Sequence, residues 1–107
     1  MPKYLVQGSY TGEGLQGLLK EGGASRREAS RQAVEQLGGT LEAFYFAFGT
    51  DDFVVLLDLP SNVDMTALAL VAQATGTVKS RVTVLIAPEQ VDEATKRAVK
   101  FRAPGQS

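Results

Sequence analysis

Read as a pattern of apolar and polar positions, the chain is organised around Thr40 to Leu59, TLEAFYFAFGTDDFVVLLDL. The first half alternates. Leu41, Ala43, Tyr45 and Ala47 fall on one side of an extended chain, and Glu42, Phe44, Phe46 and Phe48 on the other. From Phe53 to Leu57 every residue is apolar, and Gly49, Thr50, Asp51 and Asp52 between the two runs are turn formers. The pattern predicts a β-hairpin whose second strand needs cover on both faces.

Upstream, Lys3 to Tyr10 alternates as a strand, with Tyr4, Val6, Gly8 and Tyr10 sharing a face. Thr11 is placed to cap a helix carrying Leu15, Leu18 and Leu19. Gly22-Gly23 interrupts it, and Ser25-Arg26-Arg27-Glu28 has the spacing of a capping box. The stripe Ala29, Ala33, Val34 and Leu37 then runs to a stop at Gly38-Gly39. One helical region, broken near Gly22, is expected.

Downstream, Pro60 closes the hairpin and Ser61 or Asn62 caps a helix to about Thr75. That helix is rich in Ala and uncharged after Asp64, as expected for burial on more than one side. Thr77 to Ile86 alternates as a fourth strand. Pro88 opens a short helix with Glu89, Asp92 and Glu93 early and Lys96, Arg97 and Lys100 late, an order that suits the helix dipole. Residues 103–107 read as a loose tail. The order predicts one α+β domain over residues 1–107. It is a ferredoxin-like βαββαβ sandwich, an antiparallel four-stranded sheet with two helices on one face, and an additional C-terminal helix.

Two helices cover one face of such a sheet, yet the strands carry large side chains on both. An exposed patch of that kind marks an interaction surface, so self-association through the sheet is expected. The competing expectation is that the terminal helix folds back over the second face.

Composition narrows the chemistry. Hydrophobic content of 44% against 21% charged residues fits a globular chain, and 107 residues suffice for one core. A net charge of −1 offers no field to steer nucleic acid or an anionic membrane, so neither is an expected partner. The chain contains no Cys and no His, which excludes thiol and imidazole chemistry and the usual zinc or haem ligation. No cofactor is expected, and a carboxylate-only site for a hard cation is the one metal option left open. No apolar run approaches the roughly 20 residues of a membrane-spanning helix, and MPKYLVQ shows no secretory pattern, so a soluble, cytoplasmic protein is expected.

The polar candidates are few. Tyr10, Glu42, Tyr45 and Arg81 lie on strands and would line a pocket if registered on one face. Glu42 and Arg81 equally suit an ordinary cross-strand ion pair. Gly22 to Arg27 runs glycines into a helix start with two cations, which favours an anion at Arg26; a plain helix break also accounts for it. Asp51 and Asp52 either bind a cation or substrate hydroxyl or simply brace the turn. Phe44, Phe46 and Phe48 either stack on a flat ligand or build the core.

The chain resembles the GYD domain family, small bacterial and archaeal proteins with no assigned reaction. The likeness is carried by Pro2-Lys3-Tyr4-Leu5-Val6 through Ser9-Tyr10-Thr11, by Leu18-Leu19-Lys20-Glu21-Gly22-Gly23 with Arg26-Arg27, and by Leu37-Gly38-Gly39. It continues through Glu42-Ala43-Phe44-Tyr45-Phe46-Ala47-Phe48-Gly49, Asp58-Leu59-Pro60 and Thr83-Val84-Leu85. The family's Gly-Tyr-Asp motif falls on Gly49-Thr50-Asp51-Asp52: Gly49 stands, Asp52 takes the Asp place, and the Tyr is missing. The resemblance implies a ferredoxin-like fold of the dimeric α+β barrel type and a homo-oligomer. Two functions are carried forward. One is a non-catalytic homo-oligomer that binds a small metabolite or partner. The other is a cofactor-independent oxygenase or isomerase acting on a small hydrophobic substrate. A regulator that senses nucleotides through Gly22 to Arg27 is a third, weaker reading.

Overall fold

Alternation along Lys3–Tyr10 becomes strand β1 in the computed structural model, which describes residues 1–106. Ser107, the end of the expected tail, lies outside the described residues. After β1 come α1 (Gly12–Glu21), α2 (Gly23–Gln36), β2 (Thr40–Phe46), β3 (Phe53–Asp58), α3 (Asn62–Ala74), β4 (Val78–Leu85) and α4 (Pro88–Ala94). The strands form one four-stranded antiparallel sheet in the order β2-β3-β1-β4. The architecture is α+β and compatible with a ferredoxin-like fold.

One face of the sheet makes the core. Tyr4 from β1 and Phe53, Val55 and Leu57 from β3 are buried against Val34 of α2 and Met65 of α3. Each such apolar side chain contributes about 1.5–3 kcal/mol on burial. Tyr4 is 1% exposed, and its hydroxyl donates to Asn62 Oδ1 at 2.6 Å, tying β1 to the start of α3. Thr11 and Ser61 cap α1 and α3 as expected, accepting from the backbone N–H of Gly14 and Asp64. Gly22 has φ 83° and joins α1 to α2 in a single step, since a left-handed residue there costs glycine nothing.

Four expectations give way to the structure. The alternation of the first hairpin strand breaks at a bulge between Leu41 and Ala43, where Leu41 pairs with Leu57 and Ala43 with Leu56. The extra residue is Glu42, and it turns Leu41 onto the core side with Phe44. Phe48 leaves the strand altogether and is fully exposed. The capping box at Ser25 does not form. Gly22 starts α2 at Gly23, Ser25 lies inside the helix, and Glu28 pairs with Arg31 instead. Helix α3 buries one stripe rather than several sides: Met65 is buried, whereas Val63, Leu70 and Val71 are exposed. Helix α4 stops at Ala94, so Lys96, Arg97 and Lys100 fall beyond its end rather than in its last turn.

The terminal helix does not fold back over the sheet. Every residue from Ile86 to Arg102 is exposed. The radius of gyration is 17.4 Å, with a longest extent of 59 Å, against about 13 Å for a compact domain of this length. On the face away from the core, Leu5, Ala43, Val54, Leu56 and Leu85 remain half-buried with no element across them.

Helix α1 sits tightly on the entry to β4: a Cβ added at Gly14 would stand 2.1 Å from the Thr77 carbonyl oxygen, whereas one at Gly17 would meet nothing within 4 Å. Urea unfolding of Gly14→Ala is therefore expected to show a loss of about 2 kcal/mol or more, and Gly17→Ala a gain of about 0.5–1 kcal/mol. Equal effects at the two positions would contradict the packing.

Candidate binding cavity

The core is not completely filled. Between the sheet and helices α2 and α3 lies a partly open cavity of about 270 Å³. Its floor is the inner face of the sheet, Val6, Phe44, Phe53 and Val55, and its far wall is Leu68, Ala69 and Ala72 of α3. Small residues on α3 facing large ones on the strands leave this space.

The polar edge of the cavity is set by two local features. The turn at Gly22 directs α2 so that Arg26 and Ser30, one helical turn apart, both line the cavity. At the end of β1, Tyr10 is fixed by its backbone N–H, which donates to Asp52 Oδ2 at 2.9 Å. Its ring packs against Phe53 with centroids 5.2 Å apart and against Phe46 at 6.5 Å. Burial pushes the Tyr10 phenol above its ordinary pKa; Arg26 pulls it down, and Asp52 and Glu21 add to the rise. The phenol is therefore a protonated donor at neutral pH, with a guanidinium close by.

The sequence candidates divide between the two faces. Tyr10 and Arg26 come together at the cavity. Tyr45 and Arg81 lie on the opposite face, in one cross-strand row running Tyr45, Val54, Gln7, Arg81. Tyr45 is 70% exposed. Glu42 reaches from the bulge to Lys3, which also meets Asp58 at 3.1 Å. Hydrogen bonds to Glu42 and then Asp58 raise the Lys3 pKa. The Glu42–Arg81 pair does not form, because the two residues occupy opposite edge strands. Arg81 instead grips Asp51 with both guanidinium arms, at 2.9 and 2.8 Å, and that hydrogen bonding raises its pKa.

Both turn aspartates are already engaged. Asp52 holds the Tyr10 N–H, its own N–H donates to the Gly8 carbonyl, and its carbonyl accepts from Ala47, so it welds the hairpin loop to β1. Asp51 holds Arg81. Among the described residues, no group of three or more carboxylates is placed to hold a metal ion. Sequence reasoning missed Ser30, Thr75 and Ser80, which add hydroxyls to the cavity wall. Ser30 was findable from its four-residue spacing to Arg26. Thr75 and Ser80 were not, since helix and strand pairing alone bring them there.

A single antiparallel sheet with a half-open apolar cavity under its helices, edged by one cation and a phenol, defines a small α+β protein with a candidate ligand site. The GYD domain family model matches residues 4–95, and the chain belongs to that family. No curated protein and no solved structure matches it. No helix among the described residues is long and apolar enough to cross a membrane.

Because Arg26 opposes the rise in the Tyr10 pKa, Arg26→Gln is expected to move that pKa further up. Ultraviolet difference titration in a Tyr4→Phe, Tyr45→Phe background, where Tyr10 is the tyrosine left, reads it. An unchanged or lowered Tyr10 pKa would contradict the proximity of the two side chains.

Proposed function

We propose that this GYD-domain protein is a non-catalytic, homo-oligomeric binding module that takes up a small molecule in the cavity between its sheet and helices α2 and α3. The observation that carries the reading is the cavity itself, about 270 Å³ of mostly apolar space inside the one core of the chain. Pockets that bury small ligands have this character, apolar walls with a few convergent polar groups. A cofactor-independent enzyme has less support. It needs Tyr10, Glu42, Tyr45 and Arg81 around one substrate, whereas Tyr10 lines the cavity, Tyr45 and Arg81 lie on the other face of the sheet, and Glu42 is engaged by Lys3 at the β2 edge.

The oligomer is supported from the opposite side of the sheet. Leu5, Val54 and Leu56 form an uncovered apolar surface, and α4 is a seven-residue helix exposed along its whole length. Helices that short are marginal in water without packing. A second copy laid on the outer face, in the manner of a dimeric α+β barrel, covers the first and offers α4 a surface. The cavity, on the inner face, stays available for ligand.

Two measurements test this. Toluene, an apolar probe small enough for the cavity, is expected to raise the thermal midpoint by about 2–5 °C. In Ala72→Leu, where the added side chain occupies the space, the shift disappears; no shift in the wild type removes the binding reading. Light scattering is expected to give the wild type at least twice the mass of one chain. Leu56→Glu, with an unchanged far-ultraviolet spectrum, is expected to run at the mass of one chain. A monomeric wild type removes the oligomer.

A further inference from the structure

The polar edge of the cavity restricts what it takes, and the inference here rests on the cavity being a binding site. Arg26 is the one charged residue that lines it. Its ion pair is with Glu21 at 3.8 Å, beyond hydrogen-bond range. Arg31, Arg81 and Arg97 instead hold carboxylates at 2.7, 2.8 and 3.1 Å. The guanidinium of Arg26 thus keeps its donors for another acceptor. Beside it the Tyr10 hydroxyl is a neutral donor. The Ser30 hydroxyl, one turn along α2, gives its proton to the Arg26 carbonyl at 3.0 Å. Donors gather at one end of the cavity, and the rest of its wall is aliphatic and aromatic apart from Thr75 and Ser80.

We propose that the cavity binds amphipathic monocarboxylates, with the carboxylate on Arg26 and the Tyr10 hydroxyl and an alkyl chain or single ring against Val55, Leu68, Ala69 and Ala72. A planar carboxylate matches the guanidinium fork with two parallel bonds and one unit of charge. A phosphate dianion brings a second charge that no other lining residue answers. A cationic ligand meets Arg26 as a like charge. A neutral one offers the guanidinium at most an uncharged acceptor, a weaker bond than a carboxylate makes. The volume, about 270 Å³, lies just below the usual range of about 300–1,000 Å³ for drug-sized ligands, which points to small members of the class.

Isothermal titration of the full-length protein with hexanoate, octanoate and octan-1-ol tests the assignment. Octanoate is expected to bind more tightly than hexanoate, by up to about fourfold per methylene. It is also expected to bind at least about tenfold more tightly than octanol. Arg26→Gln erases that preference for the carboxylate, and Tyr10→Phe reduces it by a smaller factor, about twofold to tenfold. Arg26 is on the surface of a helix, and its variant is checked for an unchanged melting curve. If octanol binds as well as octanoate, or if Arg26→Gln keeps the preference, the carboxylate assignment is overturned while the cavity remains a binding site. If none of the three ligands binds while toluene still raises the melting point, the carboxylate assignment is overturned and the cavity reading stands; if toluene fails as well, both fall.

Discussion

Strand β3 is apolar on both faces, and a sheet can bury such a strand only if both of its faces are covered. Its pairing partners, β1 and β2, fill its edges, and Phe53, Val55 and Leu57 point into the core with Val34 and Met65. That side is closed by helices. Val54 and Leu56 point the other way, toward a surface that no described residue covers. The rest of the architecture follows from this asymmetry. The helices concentrate the core, and the apolar cavity beside Tyr10 and Arg26, on the inner face, while the outer face keeps a band of Leu5, Leu56 and Leu85 flanked by ion pairs. Lys3 with Glu42 and Asp58 sits at one end of that band, and Arg81 with Asp51 at the other. Such exposed pairs contribute little to stability, but they frame an apolar surface with charge.

Much of this was legible in the residues. The strand at Lys3–Tyr10, the caps at Thr11 and Ser61, the break at Gly22 and the stop at Pro60 are local chemistry, and local chemistry is what a sequence states most directly. The bulge at Glu42 was not legible. An extra residue in one strand shifts the face of everything before it, and only pairing with β3 reveals which residue is extra. The expected cap at Ser25 failed for a related reason. Gly22 accepts a backbone conformation that starts the helix earlier, and the short polar side chain loses its role to geometry. The apolar composition of α3 predicts burial, but Leu70 and Val71 are exposed in a single chain. Composition reports that a surface wants cover without reporting what supplies it.

The candidate site shows the same division. Tyr10 is a strand residue and Arg26 stands beside a glycine turn, and the fold brings them to the same edge of one cavity. Tyr45 and Arg81 lie across the sheet from Tyr10, and Glu42 lies at the bulge on the β2 edge. A strand's two faces are one residue apart in sequence and a whole layer apart in space, so grouping polar strand residues is uncertain until the register is known. Asp52, in the turn between β2 and β3, has an explicit structural role. It couples the hairpin loop to the end of β1 and so holds the Tyr10 backbone where the ring meets Phe53.

The central claim is that the two faces of the sheet have different occupants, a second copy outside and a ligand inside. A crystal structure of the protein purified without added ligands, with its lattice contacts weighed against the mass in solution, tests this most directly. The account predicts Leu5, Val54 and Leu56 buried beneath a second copy, while the cavity beside Tyr10 and Arg26 stays open to solvent or holds a bound molecule. A monomer with its outer sheet face in water and its cavity collapsed around Ala69 and Ala72 would contradict it.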